Sequence, residues 1–253
     1  MKELSILLYR DWLEFKKKYI SYFLLWFSMP MIYYLFLVIP LSEYLNKAEA
    51  ISGMFYRYWS LPGIWICSSG FLSFIYSFVK LKNITLNEEK LNQYLKAPLS
   101  NGQFLFSLLI SSVIAGVVQL FISMVITIAL NNMILNIFQV GVIFLNVVSI
   151  IIFFSMLGSL FAFYIKDDVL AMLFMFIVFI FLSFSCGTLI PIDNFPNNFL
   201  ILIKNLPIYG IVLNTQLSYS NSSIIISPLI IINILNVIIF LIVLIISYKK
   251  FRK

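Results

Sequence analysis

From Ala97 to Ile165 the chain runs through 69 consecutive residues without one charged side chain. An ionised group at the centre of a spanning helix costs roughly 2.5–3.5 kcal/mol, so prolonged absence of charge marks a lipid bilayer as the solvent. At about 1.5 Å per residue the stretch is roughly 100 Å of helix, against a hydrocarbon core of about 30 Å. It must therefore cross twice, turning at the asparagine cluster Asn131, Asn132 and Asn136. Hydrophobic side chains make up 62% of the 253 residues and charged ones 11%, with mean hydropathy +1.03. That composition fits about six membrane helices and leaves no room for a separate soluble domain.

The apolar runs predict an all-α polytopic membrane protein, a single transmembrane domain over 1–253. Its spans are expected near 19–41, 58–79, 104–130, 137–165, 169–190 and 224–247. The residues before Tyr19 are charged through Lys18, and the first span lacks a small-residue cleavage site, so no cleavable leader is expected. With the N-terminus inside, fourteen of the 17 basic residues fall on the cytosolic side, leaving Lys47, Arg57 and Lys204 outside. The positive-inside rule then puts both termini in the cytoplasm of a multi-pass plasma-membrane (cytoplasmic, inner-membrane) protein. The net charge of +7 is thus a matter of topology and anionic lipid headgroups. It lies in short loops, not in one folded patch, so no nucleic acid is expected as a partner.

Residues 3–18 read as an amphipathic helix lying in the inner interface. Leu4, Leu7, Leu8, Trp12 and Phe15 share one side, while Asp11 and Lys18 intrude on the pattern. Pro30 predicts a kink in the first span. Ser69, Ser73 and Ser77 in the second span recur at four-residue spacing. With Ser112 and Gly116 in the third, and Ser155, Gly158, Ser159 and Ala162 in the fourth, they predict close helix packing. Asn146, Asn233 and Asn236 read as buried amides that need partners. Cys67 and Cys186 read as packing residues and not as a disulfide.

Two segments stand apart from the spans. Thr85 to Glu88 fits a capping box, after which Leu91, Tyr94 and Leu95 recur at helical spacing until Pro98. This predicts a short amphipathic cytosolic helix over about Leu86 to Lys96. So short a helix is marginal alone in water and needs a surface to lie against. On the outer side, the apolar pieces Phe199–Leu206 and Ile208–Leu217 are too short to span and are broken at Pro207. They read as re-entrant or interfacial helices, which either gate a pathway or plug packing between spans.

The absences narrow function. There is no histidine, so zinc-protease chemistry of the HExxH kind and histidine proton relays are out. None of the expected spans holds Asp, Glu, Lys or Arg, the groups on which proton-coupled carriers depend. No Gly-Lys pair exists, so the phosphate loop of ATPases is missing. A transporter so built must draw its energy from another subunit.

Along nearly its whole length the chain resembles the membrane-spanning subunits of ABC-2 type exporters. The resemblance is carried by Asn87-Glu-Glu-Lys-Leu-Asn-Gln-Tyr-Leu-Lys-Ala-Pro-Leu-Ser100 and by Gly187-Thr-Leu-Ile-Pro191, followed by Phe195-Pro196 and Asn205-Leu-Pro207. It departs where many relatives carry Gly and Thr after the acidic element, and this chain has Lys90, Leu91 and Asn92. The resemblance implies an exporter permease that is not itself an enzyme. Its partners would be an ABC ATPase subunit and a second copy of the permease or a homologous one. The chain would hold no cofactor, with ATP and Mg on the ATPase. A coupling helix around Thr85, Glu88, Glu89, Leu91, Tyr94 and Leu95 would sit in a groove of that ATPase, braced by the N-terminal helix. Gly187, Pro191, Phe195, Pro196, Asn205 and Pro207 would shape an outer gate. The cargo would be amphiphilic, a lipid-linked glycan or polysaccharide or a hydrophobic drug. Two other readings stand beside this one: a non-transporting assembly or immunity factor, and an ion-coupled secondary carrier.

Overall fold

The computed structural model describes residues 2–45, 55–87, 89, 100–132, 135–219 and 226–251. Helix α1 (Lys2–Lys17) leads into α2 (Tyr19–Leu45), followed by α3 (Tyr56–Leu86), α4 (Asn101–Asn131), α5 (Ile137–Ala162) and α6 (Asp168–Ser185). Two short helices, α7 (Asn197–Lys204) and α8 (Pro207–Tyr219), precede α9 (Ser227–Phe251). Six of these, α2 to α6 and α9, are long and apolar enough to cross a membrane. Among the described residues there is no strand.

α3 is the axis of the bundle. It packs most extensively against α5 and α4 and is buried along most of its length, Trp65, Phe74 and Phe78 included. Small residues make this possible, as their spacing predicts. A Cβ on Gly116 would lie 2.7 Å from Ile151 Cγ2 and 3.1 Å from Ser73 Cβ. One on Gly158 would run into Ser77 Oγ and the Phe74 carbonyl. Van der Waals packing and interhelical hydrogen bonds, not burial from water, hold such contacts in lipid, so close approach is their main energy source. α6 and α9 by contrast present rows of exposed Leu, Ile, Val, Phe and Met, the side chains a lipid tail tolerates.

α2 contains the predicted Pro30, and the structure supplies what the proline removes. Pro30 has no N–H for the carbonyl of Trp26, four residues back. Gln119 of α4 donates its Nε2 to that carbonyl at 3.0 Å. One turn later α2 widens into a π-helical segment, Tyr33–Val38, and α6 closes with another, Phe181–Ser185. The two meet where Tyr33 OH and Ser183 Oγ share a hydrogen bond of 2.8 Å.

Several boundaries differ from the sequence expectation. α3 continues to Leu86, well past Val79, and at 31 residues is about 46 Å long, more than the hydrocarbon core requires. α6 stops at Ser185, short of residue 190, because Gly187 turns left-handed at φ +72°. Asn233 is exposed, not buried, and its amide folds back on the Leu229 carbonyl of its own helix at 2.9 Å. Cys67 and Cys186 are free thiols in the core, as expected.

Candidate functional site

The bundle has two chemically different ends. At one end lie Arg10 and Asp11 of α1, Lys80 and Lys82 of α3, Asp167 and Asp168 at the start of α6, and Lys250 of α9. This is the charged end. At the other end lies the bent α7–α8 pair, whose α8 packs against α5, α9 and α3.

At the charged end the long basic side chains tie neighbouring helices together. Lys82 donates to the Asp168 carboxylate at 2.7 Å and to the Asp167 carbonyl at 3.1 Å, joining α3 to the first turn of α6. Asp167 also caps α6, accepting from the Val169 N–H at 2.6 Å. Lys250 donates to the Phe163 carbonyl at the end of α5. Asp11 is the charge that intruded on the amphipathic pattern of α1, and the structure turns it inward. Buried with Leu7, it pairs with Lys80 and accepts from Ser111 Oγ of α4 at 2.5 Å. The exposed face of α1 carries Ile6, Tyr9 and Trp12.

The expected cytosolic helix needs one correction. Thr85 does not cap a new helix. It sits in the last turn of α3, its hydroxyl donating to the Lys82 carbonyl at 3.0 Å, because α3 runs on to Leu86. Glu89 is exposed. Glu88, Leu91, Tyr94 and Leu95 lie outside the described residues.

At the opposite end Gly187, Pro191 and α8 come together against α3. Gly187 accepts from Gln216 Nε2 of α8 at 3.2 Å, and Pro191 is buried. Thr188 donates to the carbonyls of Leu182 and Ser183 at 2.6 and 2.9 Å, closing the end of α6. Tyr56 of α3 donates to the Leu189 carbonyl at 2.6 Å, and the Thr188 carbonyl lies directly over Gly63, where any Cβ would collide. Phe195 meets Phe199 in a tilted ring contact at 5.3 Å, and Pro196 stands at the start of α7. Asn205 donates to the Ile201 carbonyl at 2.9 Å as α7 ends, and α8 begins at Pro207 after a bend of 87°. These four shape the segment, whereas Gly187 and Pro191 anchor it.

Only together with α7 does α8 match the apolarity of a span, and α8 brings polar side chains into the bundle. Asn214, Thr215, Gln216 and Ser218 are all buried. Asn214 donates to Asn146 of α5 at 3.0 Å, and one turn away Asn236 of α9 donates to the Ser149 carbonyl at 3.2 Å. Both amides thus anchor on the same turn of α5, which supplies the partners that Asn146 and Asn236 were expected to need.

The two ends are joined by a polar seam along α4 at strict four-residue spacing: Ser107, Ser111, Gln119, Ser123, Thr127 and Asn131, interrupted only by Ala115. Ser111 meets Asp11, and Gln119 meets Trp26 and Ser123. Ser123 meets Ser68 at 2.8 Å, and Thr127 accepts from Trp65 Nε1 at 2.7 Å. Asn131 accepts from Tyr34 OH at 2.9 Å, and Tyr34 OH in turn accepts from Arg57 Nε at 2.7 Å. Sequence reasoning singled out Ser112 and Gly116 on the adjoining face. It missed this seam, whose period of four was the available signal.

Residues 2–212 match the sequence model of the family described as ABC-2 type transporter. No curated protein matches the chain.

Proposed function

The chain belongs to the ABC-2 type transporter family, and from that premise we propose that it is the permease subunit of an ATP-driven exporter of an amphiphilic molecule. The observation that carries this reading is the asymmetry of the bundle. One end gathers ionised side chains around α1, and the other is closed by a helix pair bent by 87°, neither helix of which is long enough to span alone.

In this reading the charged end faces the cytosol, where the positive-inside rule puts its lysines. An ABC ATPase subunit docks there on the segment following Leu86, with Glu88, Glu89, Leu91, Tyr94 and Leu95 facing its groove and α1 bracing the contact. ATP and Mg belong to that subunit, and this chain makes and breaks no covalent bond. A second permease, identical or homologous, completes the pathway. The segment from Gly187 to Pro207 and α8 forms the outer gate. Movement against a gradient requires a pathway whose affinity for the cargo differs between its two states, and ATP binding on the partner selects between them. A lipid-linked glycan or a hydrophobic drug suits a bundle whose α2, α6 and α9 faces are open to lipid.

The test is purification from native membranes, followed by comparison of the amphiphiles released by cells with and without the chain. The reading expects an ABC ATPase to co-purify and one class of amphiphile to be retained when the chain is deleted. A chain that purifies without an ATPase, from cells whose released amphiphiles do not change on deletion, contradicts it. An intact ATPase complex with no change in any released molecule would favour an assembly or immunity role.

A further inference from the structure

Three helices meet at the carboxylate of Asp11. It stands on α1, pairs with Lys80 near the end of α3, and accepts from Ser111 at the start of the α4 seam. Arg10 adds a third contact, its Nη2 lying 3.3 Å from Asp11 Oδ1. The pair is shielded from water while Arg10 borders it: Asp11 is 7% exposed, the Lys80 side chain 14% and the Arg10 side chain 39%. Lys80 stands six residues before Leu86, where α3 ends, and two residues before Lys82, which holds the start of α6.

Stability alone does not account for such a pair. Taking two charges out of water costs several kcal/mol per ion, and well-packed apolar replacements for buried ion pairs are often neutral or stabilising. What a buried pair does provide is register. Apolar faces slide over one another by small steps, whereas an ion pair is either made or broken, and it is made at one rotation and one height of α1 against α3.

We propose that Asp11 and Lys80 are positioning residues for the transport cycle: their ion pair locks α1 to the charged end of α3, so that force applied there by the ATPase moves both helices as one body. The inference rests on the permease reading above. It assigns to α1 a role in the stroke itself, where bracing the docked subunit would need only its exposed face. Because α3 also lies under Thr188 and donates from Tyr56 to the Leu189 carbonyl, motion of α3 reaches the outer segment without an intermediary.

The experiment uses the complex with its ATPase subunit in lipid nanodiscs. A bimane fluorophore is placed on a cysteine introduced at the exposed Asn198 of α7. Cys67 and Cys186 are buried and leave the label confined to that site. ATP hydrolysis and the bimane emission change on adding ATP and vanadate are read side by side. In D11L/K80M, which exchanges the pair for apolar side chains, the complex is expected to stay folded and to hydrolyse ATP. Its emission change should be largely lost while hydrolysis continues. D11E/K80R, which keeps the pair, should retain it. A purely structural role would lower hydrolysis and emission change together. An emission change that tracks hydrolysis in D11L/K80M overturns the proposal, and so does a double variant that fails to fold. If the wild-type complex itself gives no ATP-dependent emission change, the permease reading falls and takes the proposal with it.

Discussion

The joint between Pro30 and Gln119 yields a prediction whose size follows from the structure. The Trp26 carbonyl has lost its helical donor to Pro30 and has Gln119 Nε2 in its place at 3.0 Å. Gln119 is fully buried, so no water replaces it when it is removed. Gln119→Leu therefore orphans the Trp26 carbonyl, a loss of about 1–3 kcal/mol in a protein interior, offset in part because it also removes Gln119 Oε1, itself buried without a partner. Interhelical hydrogen bonds measured within membranes run lower, near 0.6 and up to about 1.7 kcal/mol. Pro30→Ala restores an N–H four residues after Trp26 and gives the carbonyl a donor within its own helix. In that background Gln119→Leu should cost about 1 kcal/mol less than in the native one. The assay is a double-mutant cycle on reversible unfolding in mixed micelles, with all four proteins at one detergent fraction. If the two substitutions add to within about 0.3–0.5 kcal/mol, Gln119 is not compensating for the proline and the account of this joint is wrong.

Gly63→Ala should destabilise the protein by about 1–3 kcal/mol, since its Cβ would press on the Thr188 carbonyl, and thermal unfolding should register it. Gly141→Ala is the control: nothing lies within 4 Å, and relief of backbone entropy should stabilise the protein by about 0.4–1 kcal/mol. Asp168→Asn should shift stability by less than about 1 kcal/mol, because Asp168 is 88% exposed and Lys82 keeps the Asp167 carbonyl. Lys82→Met removes both contacts and should cost more in the same unfolding assay. Cys67 and Cys186 should resist maleimide in the folded protein and react after denaturation, which mass spectrometry reads directly.

What the sequence revealed, it revealed through charge and spacing. A chain segment of 69 uncharged residues has one physical explanation, and the spans, the break at Pro207 in the bent α7–α8 pair and the close helix contacts at Gly116 and Gly158 all follow from local pattern. The misses share a cause. Asp11 looked like a flaw in an amphipathic face because its partner, Lys80, lies 69 positions away, and no local rule connects them. Thr85 satisfied a capping box on paper, but α3 was already helical there and used its hydroxyl within its last turn. Asn233 and Asn236 look alike in sequence. Only the packing of α9 on α5 decides that Asn236 faces Ser149 while Asn233 faces outward. The seam on α4 lay in plain view at a period of four, yet serine is common at helix contacts. Only the partners at its two ends, Asp11 and the Tyr34–Arg57 pair, set it apart.

The central claim is that the energy for transport enters at the charged end from a separate ATPase. Site-specific crosslinking in intact membranes tests it most directly, with a photoreactive group at Glu89, beyond the end of α3, and another at Asn198 on α7. The account predicts an ATP-sensitive adduct between the ATPase and the Glu89 site, and none from Asn198. An ATPase adduct at Asn198, or the absence of one at Glu89 in a complex that still hydrolyses ATP, would contradict it.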